Sequence, residues 1–279
     1  MFSSTNTKVA VDHPQQESSD LAELFQQYFE VVPATTDSLK RVVYSIRYKV
    51  YCEDLSYESQ KCFPDGLESD EHDCYADHYL LKHKSSQEYV GCMRYLKKQK
   101  NRLLPFEKLA ALPSNSHEAD YAELSRLAIL PEYRRRMGDS QYGIDTNASI
   151  AEERRLFPHI SLGLILVGPA LMLSGQCSVS YAVMEPRFCR LLKRFGLHID
   201  RVSDVFNYRG KRAVYRLSLS QIKSGPTPLV TNMLAYIQSQ VTVQPSLHLV
   251  CTENAPRVQK VPRLQQSKPV CLHSVPSNG

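Results

Sequence analysis

The chain lacks the cysteine spacing by which zinc sites are usually recognised. Its 279 residues include eight cysteines, and no two of them form a C-x-x-C pair. Structural zinc sites commonly hold their cysteines in such close pairs. A zinc site is therefore not expected.

The chain also lacks long apolar runs. Its first twenty residues, MFSSTNTKVAVDHPQQESSD, have no apolar core of a signal peptide, so we expect reduced thiols and a cytoplasmic location. The longest apolar run, ISLGLILVGPALMLS at 160–174, is 15 residues long, whereas about 20 are needed to span a bilayer. This run predicts a buried helix rather than a membrane span. The net charge of +5 is too small to indicate a nucleic-acid partner.

The order of predicted elements indicates the fold class. Two helices come first, followed by strand-like runs at 77–84, 88–98, 121–130 and 178–185, with a helix before and after the last of them. This order predicts an α/β (α+β) sheet with helices on both faces.

Composition divides the chain into three parts. Residues 1–18 are expected to be a disordered N-terminal tail, and residues 19–221 to form the folded domain. Residues 222–279 hold seven of the sixteen prolines and form a C-terminal extension. We expect one helix at 229–240 in this extension and disorder after it.

The acidic stretch GLESDEHD at 66–73 brings several carboxylates close together, and like charges this close repel each other. The groups that these carboxylates face could be solvent, a metal ion or arginines. The stretch lacks the alternating oxygen ligands and central glycine of a calcium loop, so a metal is disfavoured.

Three arginines occur in otherwise apolar patterns, and charged groups in such places are rarely buried unless they are paired. Snorkelling to solvent is the alternative for the arginine in the helix stripe. Charge balance predicts one buried cluster, which sets Asp70, Asp73 and Glu123 against Arg47, Arg94 and Arg126.

Four motifs in register resemble the LuxI-type acyl-homoserine-lactone synthases. They are Arg47 with Tyr51 in SIRYKVY, the E-x-D-x-x-D of Glu68, Asp70 and Asp73, Arg94 in VGCMRYL, and Glu123 with Arg126 in ELSR. The segments RYKVYCED, FPDGLESDEHD and YAVMEPRFCRLLKRFG more closely resemble the acyltransferases associated with exosortase (PEP-CTERM) systems. The long-chain N-acyl amino acid synthases are a neighbouring branch. Over residues 20–220, the resemblance implies a GNAT-like twisted mixed sheet with splayed central strands.

Two departures from the autoinducer synthases bear on the substrates. The chain has no tryptophan, and Tyr51 stands where those enzymes have phenylalanine, which favours an amino acid or another amine over S-adenosylmethionine as acceptor. The pyrophosphate-binding signature is approximated only by RRMGDS at 135–140, about twenty residues before the apolar helix. A coenzyme A pyrophosphate needs a short loop at a helix N-terminus. The donor favoured is therefore acyl carrier protein.

The resemblance implies roles for the site residues. Glu123 would be the base that deprotonates the amine. A bulge between Glu123 and Arg126 would turn both towards one side of the sheet and splay the strand from its neighbour. Arg47, Arg94, Arg126, Tyr51, Asp70 and Asp73 would form an electrostatic and substrate-binding cluster. Glu185 would lie near the thioester or serve only as an acid at a helix start.

A basic rim is expected to dock the acidic carrier protein. It would combine Arg134, Arg135 and Arg136 after one strand with Lys97, Lys98, Lys100 and Arg102 after another, provided that both groups lie at one edge. Solvated loop charge is the alternative.

The sequence thus predicts an N-acyltransferase that moves a long fatty acyl group from acyl carrier protein to a small amine. Its co-substrate would be an acyl-phosphopantetheine thioester, on carrier protein or coenzyme A, with no bound cofactor and no metal. Three alternatives remain: an acyl-homoserine-lactone synthase, an acyl-CoA-dependent N-acetyltransferase and a non-catalytic acyl-binding module.

Overall fold

The computed structural model describes residues 13–110, 120–134 and 157–241. The strands are β1 (Phe29–Pro33), β2 (Asp77–His83), β3 (Tyr89–Lys97), β4 (Tyr121–Ile129), β5 (Val179–Met184), β6 (Asp200–Arg201), β7 (Phe206–Asn207) and β8 (Lys211–Ser218). The helices are α1 (His13–Tyr28), α2 (Asp37–Tyr48), α3 (Pro105–Leu109), α4 (Phe157–Ile165), α5 (Val167–Leu173), α6 (Pro186–Arg194), α7 (Leu219–Lys223) and α8 (Pro228–Val241).

The strands form one open mixed sheet in the order β1-β2-β3-β4-β5-β8-β6, and β7 pairs with β8. All described pairings are antiparallel except the central β4–β5 pair, which is parallel. The predicted α/β class with a mixed sheet is confirmed.

The two central strands separate along their length. β4 and β5 pair over Tyr121–Leu124 and Val179–Ala182, and each strand then continues without a described partner in the other. The splay predicted for the central strands is therefore present, and it begins at Leu124.

A bulge lies in β4 beside this splay. Cys92 of β3 is opposite Ala128, whereas Arg94 is opposite Ser125, so β4 holds one extra residue at Arg126 and Leu127. Arg126 has φ +53°, the left-handed region that non-glycine residues seldom adopt. Such a conformation costs about 1–3 kcal/mol and persists where surrounding contacts hold it.

Helices cover both faces of the sheet. On one face, Val43 and Ile46 of α2 pack on Leu80 and Cys92. On the other face, α1, α4, α5 and α8 enclose the larger core. The apolar run predicted as one helix forms two, α4 and α5, which meet at Leu166. No helix within the described residues has both the length and the apolar character needed to cross a membrane.

Two predicted boundaries differ from the structure. α1 begins at His13, so residues 13–18 are helical rather than part of a tail. α8 is not an appendage, because the Tyr236 hydroxyl donates to the Phe29 carbonyl at 2.9 Å and the Val31 N–H donates to Gln240 Oε1 at 2.9 Å. These bonds fasten α8 to the edge strand β1. The predicted disorder after residue 242 lies outside the described residues.

The packing of α8 predicts its contribution to stability. Ile237 has no exposed surface. Replacing it in Ile237→Ala is expected to lower the free energy of unfolding by about 2–5 kcal/mol, because the substitution leaves a cavity. Asn232→Ala, on the exposed side of the same helix, should change the free energy of unfolding by less than about 0.5 kcal/mol. Urea denaturation measures both, and equally small changes would contradict a structural role for α8.

Candidate active site

Six buried or half-buried charges close into a ring in which acid and base alternate. Asp73 sits between two guanidinium groups, with its Oδ1 2.8 Å from Arg47 Nη1 and 2.9 Å from Arg94 Nη1. Arg47 has no exposed side-chain surface, and its Nε lies 2.5 Å from Glu68 Oε2.

Arg126 completes the ring from the bulge of β4. Its Nη2 lies 2.7 Å from Asp70 Oδ2 and 3.5 Å from Glu68 Oε1. Asp70 Oδ1 in turn accepts from Arg94 Nη1 at 2.6 Å. Each carboxylate thus touches two guanidinium groups, and the formal charge sums to zero. We call this set the charge ring: Arg47, Glu68, Arg126, Asp70, Arg94 and Asp73.

Local structure explains how the acidic stretch reaches the ring. Asp73 Oδ2 accepts the Asp70 N–H at 2.6 Å, and Asp70 Oδ1 accepts the His72 N–H at 2.9 Å. The carboxylates therefore satisfy their own loop as well as the arginines. The alternative of a solvated acidic loop is wrong for Glu68 and Asp73, which are almost fully buried.

The predicted membership of the cluster is wrong in one place. Glu123 is not part of the charge ring, and Glu68 is the third carboxylate. The register puts Glu123 opposite Leu96, two residues beyond the Arg94–Ser125 pair. Its Oε2 accepts the Phe106 N–H at 3.0 Å. The E-x-D-x-x-D spacing was the signal in the sequence that pointed to Glu68.

Burial acts differently on the ring and on Glu123. Burial alone would raise the pKa of Asp73, but Arg47 and Arg94 hold that pKa well below its usual range. Burial raises the pKa of Glu123 to about 7, against the opposing effects of the Phe106 N–H and of Arg94 and Arg126. Asp73 is therefore ionised at neutral pH, whereas Glu123 can take up or release a proton there.

A cavity of about 780 Å³ opens where β4 and β5 separate. Its polar wall includes Arg94, Glu123, Ser125 and Arg126, and Arg94 Nε donates to Ser125 Oγ at 3.2 Å. Its apolar wall includes residues of β4 and of the helices behind the sheet, among them Leu124, Ile165, Pro169, Phe188, Leu191 and Leu192. One cavity thus joins a charged side and an apolar side of the sheet.

Tyr51 lines this cavity, as predicted, and also supports the bulge. Its hydroxyl donates to the Leu127 carbonyl at 2.8 Å, and its ring stacks on Tyr57 with centroids 6.4 Å apart. The Arg126 guanidinium lies 5.9 Å from the Tyr51 ring centroid. These contacts hold Arg126 in its left-handed conformation.

Glu185 lines the cavity and is not a member of the charge ring. It precedes Pro186, the first residue of α6, and thus occupies the position of a helix-start acid. Its carboxylate also pairs with Arg187 and, at 2.9 Å, with Arg212 Nη1. The helix-start position predicted for Glu185 is therefore observed, and its predicted place near the thioester stays a prediction.

The predicted basic rim is wrong because β3 and β4 are antiparallel. Lys97 lies opposite Ala122, at the start of β4, whereas Arg134 follows the end of β4. Lys97 and Arg134 therefore lie at opposite ends of β4, about 20–25 Å apart at 3.3 Å per residue. Arg134 pairs with Asp54, and the predicted partners Arg135 and Arg136 lie outside the described residues.

Metal ligation is not indicated in the part of the chain that the structure describes. Within it, no three or more His, Cys, Asp or Glu side chains are grouped so as to hold a metal ion.

The charge ring predicts an asymmetric response to losing one member. Arg47→Met would leave two buried carboxylates with one guanidinium contact each, and we expect a loss of about 3–5 kcal/mol in the free energy of unfolding. Arg41→Met, on the exposed side of the same helix, is the matched control and should have little effect. Chemical denaturation at pH 7 measures both. A ring that contributes nothing to the fold would give two equal, small values.

Comparison with protein families places this site in a known domain. Residues 46–142 match the acetyltransferase (GNAT) domain. This range contains all six members of the charge ring and Glu123.

The proteins similar to this chain in sequence or structure include acyl-homoserine-lactone synthases and an N-acyl amino acid synthase. The acyl-homoserine-lactone synthase of Vibrio anguillarum is 26% identical over 161 residues, which cover 57% of this chain and 74% of that protein. Among solved structures, the acyl-homoserine-lactone synthase LasI is 18% identical with a TM-score of 0.44, over 71% of this chain and 95% of its own. FeeM, an N-acyl amino acid synthase from uncultured soil microbes, is 13% identical with a TM-score of 0.48, over 70% and 93%.

Both TM-scores are below 0.5, so the assignment rests on the domain match and on the similarity to the Vibrio protein. The chain is an N-acyltransferase: residues 46–142 match the acetyltransferase (GNAT) domain, and the chain is similar to an acyl-homoserine-lactone synthase.

Proposed function

We propose that this protein transfers a long-chain fatty acyl group from an acyl carrier protein thioester to the amine of a small acceptor, such as an amino acid, in the cytoplasm. The observation that carries the proposal is the position of Glu123. It is a buried carboxylate with a pKa near 7 on the polar wall of the cavity between the splayed strands.

The chemistry follows from that position. An amine is protonated near neutral pH and must lose a proton before it can attack. Glu123 accepts this proton, directly or through a water molecule. The amine nitrogen then bonds to the acyl carbon, the carbon–sulfur bond breaks, and the thiolate that leaves is protonated. The products are an amide and a free thiol.

Other parts of the site support this reaction. Backbone N–H groups of β4 beyond Leu124, where β5 has moved away, face the developing oxyanion. The charge ring holds the bulge and provides carboxylates beside which an ammonium group can bind. The apolar wall behind the sheet holds the acyl chain, and a volume of about 780 Å³ lies in the usual range for ligand pockets.

Acyl carrier protein is the proposed donor because the pyrophosphate-binding signature of coenzyme A enzymes is approximated only by RRMGDS at 135–140, about twenty residues before the apolar helix. A pyrophosphate site requires a short loop at a helix N-terminus. The segments FPDGLESDEHD and YAVMEPRFCRLLKRFG further support a place among the exosortase-associated acyltransferases.

Acyl-homoserine-lactone synthesis is the second candidate, supported by the similarity to the Vibrio anguillarum protein. The absence of tryptophan and the presence of Tyr51 favour a different acceptor. Mass spectrometry of small molecules extracted from cells that express the protein distinguishes the two. It would detect an N-acyl amino acid or another fatty amide in the first case and an acyl lactone in the second.

The donor can be tested with purified protein. Acyl carrier protein and coenzyme A loaded with the same long acyl chain are compared at equal acceptor concentration. We expect kcat/KM to be at least about tenfold higher with the carrier protein, corresponding to about 1.4 kcal/mol. Equal values, or a preference for coenzyme A, would contradict the proposed donor.

The base can be tested with Glu123→Gln, which keeps the shape and removes the ionisable group. We expect kcat to fall by about 10² or more. Wild-type kcat/KM should rise with pH through about 7, as Glu123 loses its proton, and the variant should lack this limb. Glu132→Gln, at an exposed site after the same strand, is the control.

Stability measurements separate catalysis from folding in this variant. The pKa of Glu123 is higher in the folded than in the unfolded state, so wild-type stability is greatest while the carboxyl is protonated and falls as pH rises through about 7. Glu123→Gln should therefore gain stability relative to the wild type between pH 5 and pH 8. Full activity in a folded variant would assign the proton transfer to another group.

A further inference from the structure

Glu107 lies on α3, the short helix that supplies the backbone N–H bound to Glu123. Its half-buried carboxylate accepts hydrogen bonds from three groups. They are the Leu104 N–H at 2.5 Å, the Tyr121 hydroxyl at 2.7 Å and Lys98 Nζ at 2.8 Å. Lys98 directly follows β3, and Tyr121 is the first residue of β4. One carboxylate therefore ties α3 to the ends of two central strands.

Glu107 also closes the turn that contains Phe106. Its N–H donates to the Leu104 carbonyl at 3.1 Å, while its side chain accepts the Leu104 N–H. Pro105 has no N–H, so Phe106 carries the first N–H that α3 can offer to a group outside the helix. This N–H donates to Glu123 Oε2 at 3.0 Å. The direction of the bond to Glu123 thus depends on a turn that Glu107 closes twice.

Contacts outside α3 must hold it in place, because a helix of five residues is not stable by itself. The Phe106 ring is fully buried and stacks on Tyr181, with ring centroids 4.7 Å apart. Lys108 pairs with Glu71 at 2.8 Å on the exposed surface, where an ion pair contributes little. The position of α3 is therefore set by an apolar contact through Phe106 and a polar one through Glu107.

The Phe106 N–H matters to Glu123 because it opposes the effect of burial. Burial raises the pKa of Glu123, and this N–H is the largest of the influences that lower it. The charged and titratable groups around Glu123 also include Arg94 of β3, Arg126 of β4, Asp70 of the acidic stretch and Tyr181 of β5. Loss of the N–H, with these groups unchanged, would raise the pKa of Glu123.

We propose that Glu107 positions the proposed base by holding α3 against the sheet, so that the Phe106 N–H stays bonded to the Glu123 carboxylate. This inference rests on the proposed function, in which Glu123 accepts the proton of the amine. Glu107 does not line the cavity, so it acts through Phe106 as a positioning residue. Burial opposes its ionisation, but the bonds from Lys98 and Tyr121 help to hold its pKa below the usual value.

The direction of the change in the pKa of Glu123 tests the proposal. Glu107→Ala removes a negative charge and leaves Lys98 without this partner, and by electrostatics alone both changes would lower that pKa. Loss of the Phe106 N–H would instead raise it. We expect a rise of about one pH unit, since a hydrogen bond to a charged group is worth about tenfold or more.

The pH profile of turnover gives the first measurement. In Glu107→Ala, the acid limb of kcat/KM should move up from about pH 7 by about one pH unit. The value of kcat/KM should fall about fivefold at pH 7 and change little at pH 9, because the Glu123 carboxyl is ionised in both proteins at the higher pH. Glu107→Gln keeps an acceptor oxygen for the turn and should recover part of the wild-type profile.

A second variant keeps the proposal testable if Glu107→Ala does not fold. Tyr121→Phe removes one hydrogen bond to Glu107 and keeps the ring, so it should move the acid limb upwards by a smaller amount. Lys108→Ala, exposed on the same helix, is the matched control and should leave the limb unchanged. An unshifted limb in folded Glu107→Ala, or in Tyr121→Phe if the first variant is unfolded, would overturn the proposal.

Carbon-13 NMR of glutamate carboxyl groups separates this inference from the proposed function, because it follows the titration of Glu123 without turnover. Glu123→Gln assigns the signal. If Glu107→Ala raises the midpoint of this titration while Glu123→Gln keeps full activity, the proposed base is wrong and the positioning role stands. If Glu123→Gln is inactive while Glu107→Ala leaves the midpoint unchanged or lowers it, the proposed base stands and the positioning role is wrong.

Discussion

The closed alternation of three guanidinium groups and three carboxylates is the constraint on which the rest of the site depends. A pair of charges 4 Å apart gains about 4 kcal/mol at an effective dielectric constant near 20, and desolvation removes much of that gain. The ring is therefore a poor source of net stability. Its effect is geometric, because it ties α2, the acidic loop, β3 and the bulge of β4 to one point.

The bulge links the ring to the opening in the sheet. Arg126 reaches the ring from a left-handed backbone position, and Tyr51 holds the following carbonyl. β4 leaves β5 only two residues earlier, at Leu124. The same distortion that brings Arg126 to the acids therefore accompanies the separation that forms the cavity.

Carboxylates in this small region have different environments and therefore different protonation. Asp73 touches two guanidinium groups, and its pKa is held low. Glu123 is also buried, but its carboxylate is bonded to a backbone N–H, and its pKa is near 7. The charge ring has no net charge and is fixed by its ion pairs, whereas Glu123 beside it can titrate. The site can therefore bind a charged group while Glu123 remains its proton acceptor.

The sequence by itself determined the bounds of β2, β3, β4 and β5 within about one residue. It also indicated that three arginines in apolar patterns need partners, and that the acidic stretch supplies them. Both results follow from the chemistry of the side chains. It could not decide that Glu68 rather than Glu123 completes the ring, since the register of β3 against β4 moves Glu123 past Arg94. It also could not place Lys97 and Arg134 at opposite ends of β4, or show that α8 covers the edge strand. Residue type decides locally which charges need a partner. Strand direction and register decide which charges meet, and these belong to the sheet as a whole.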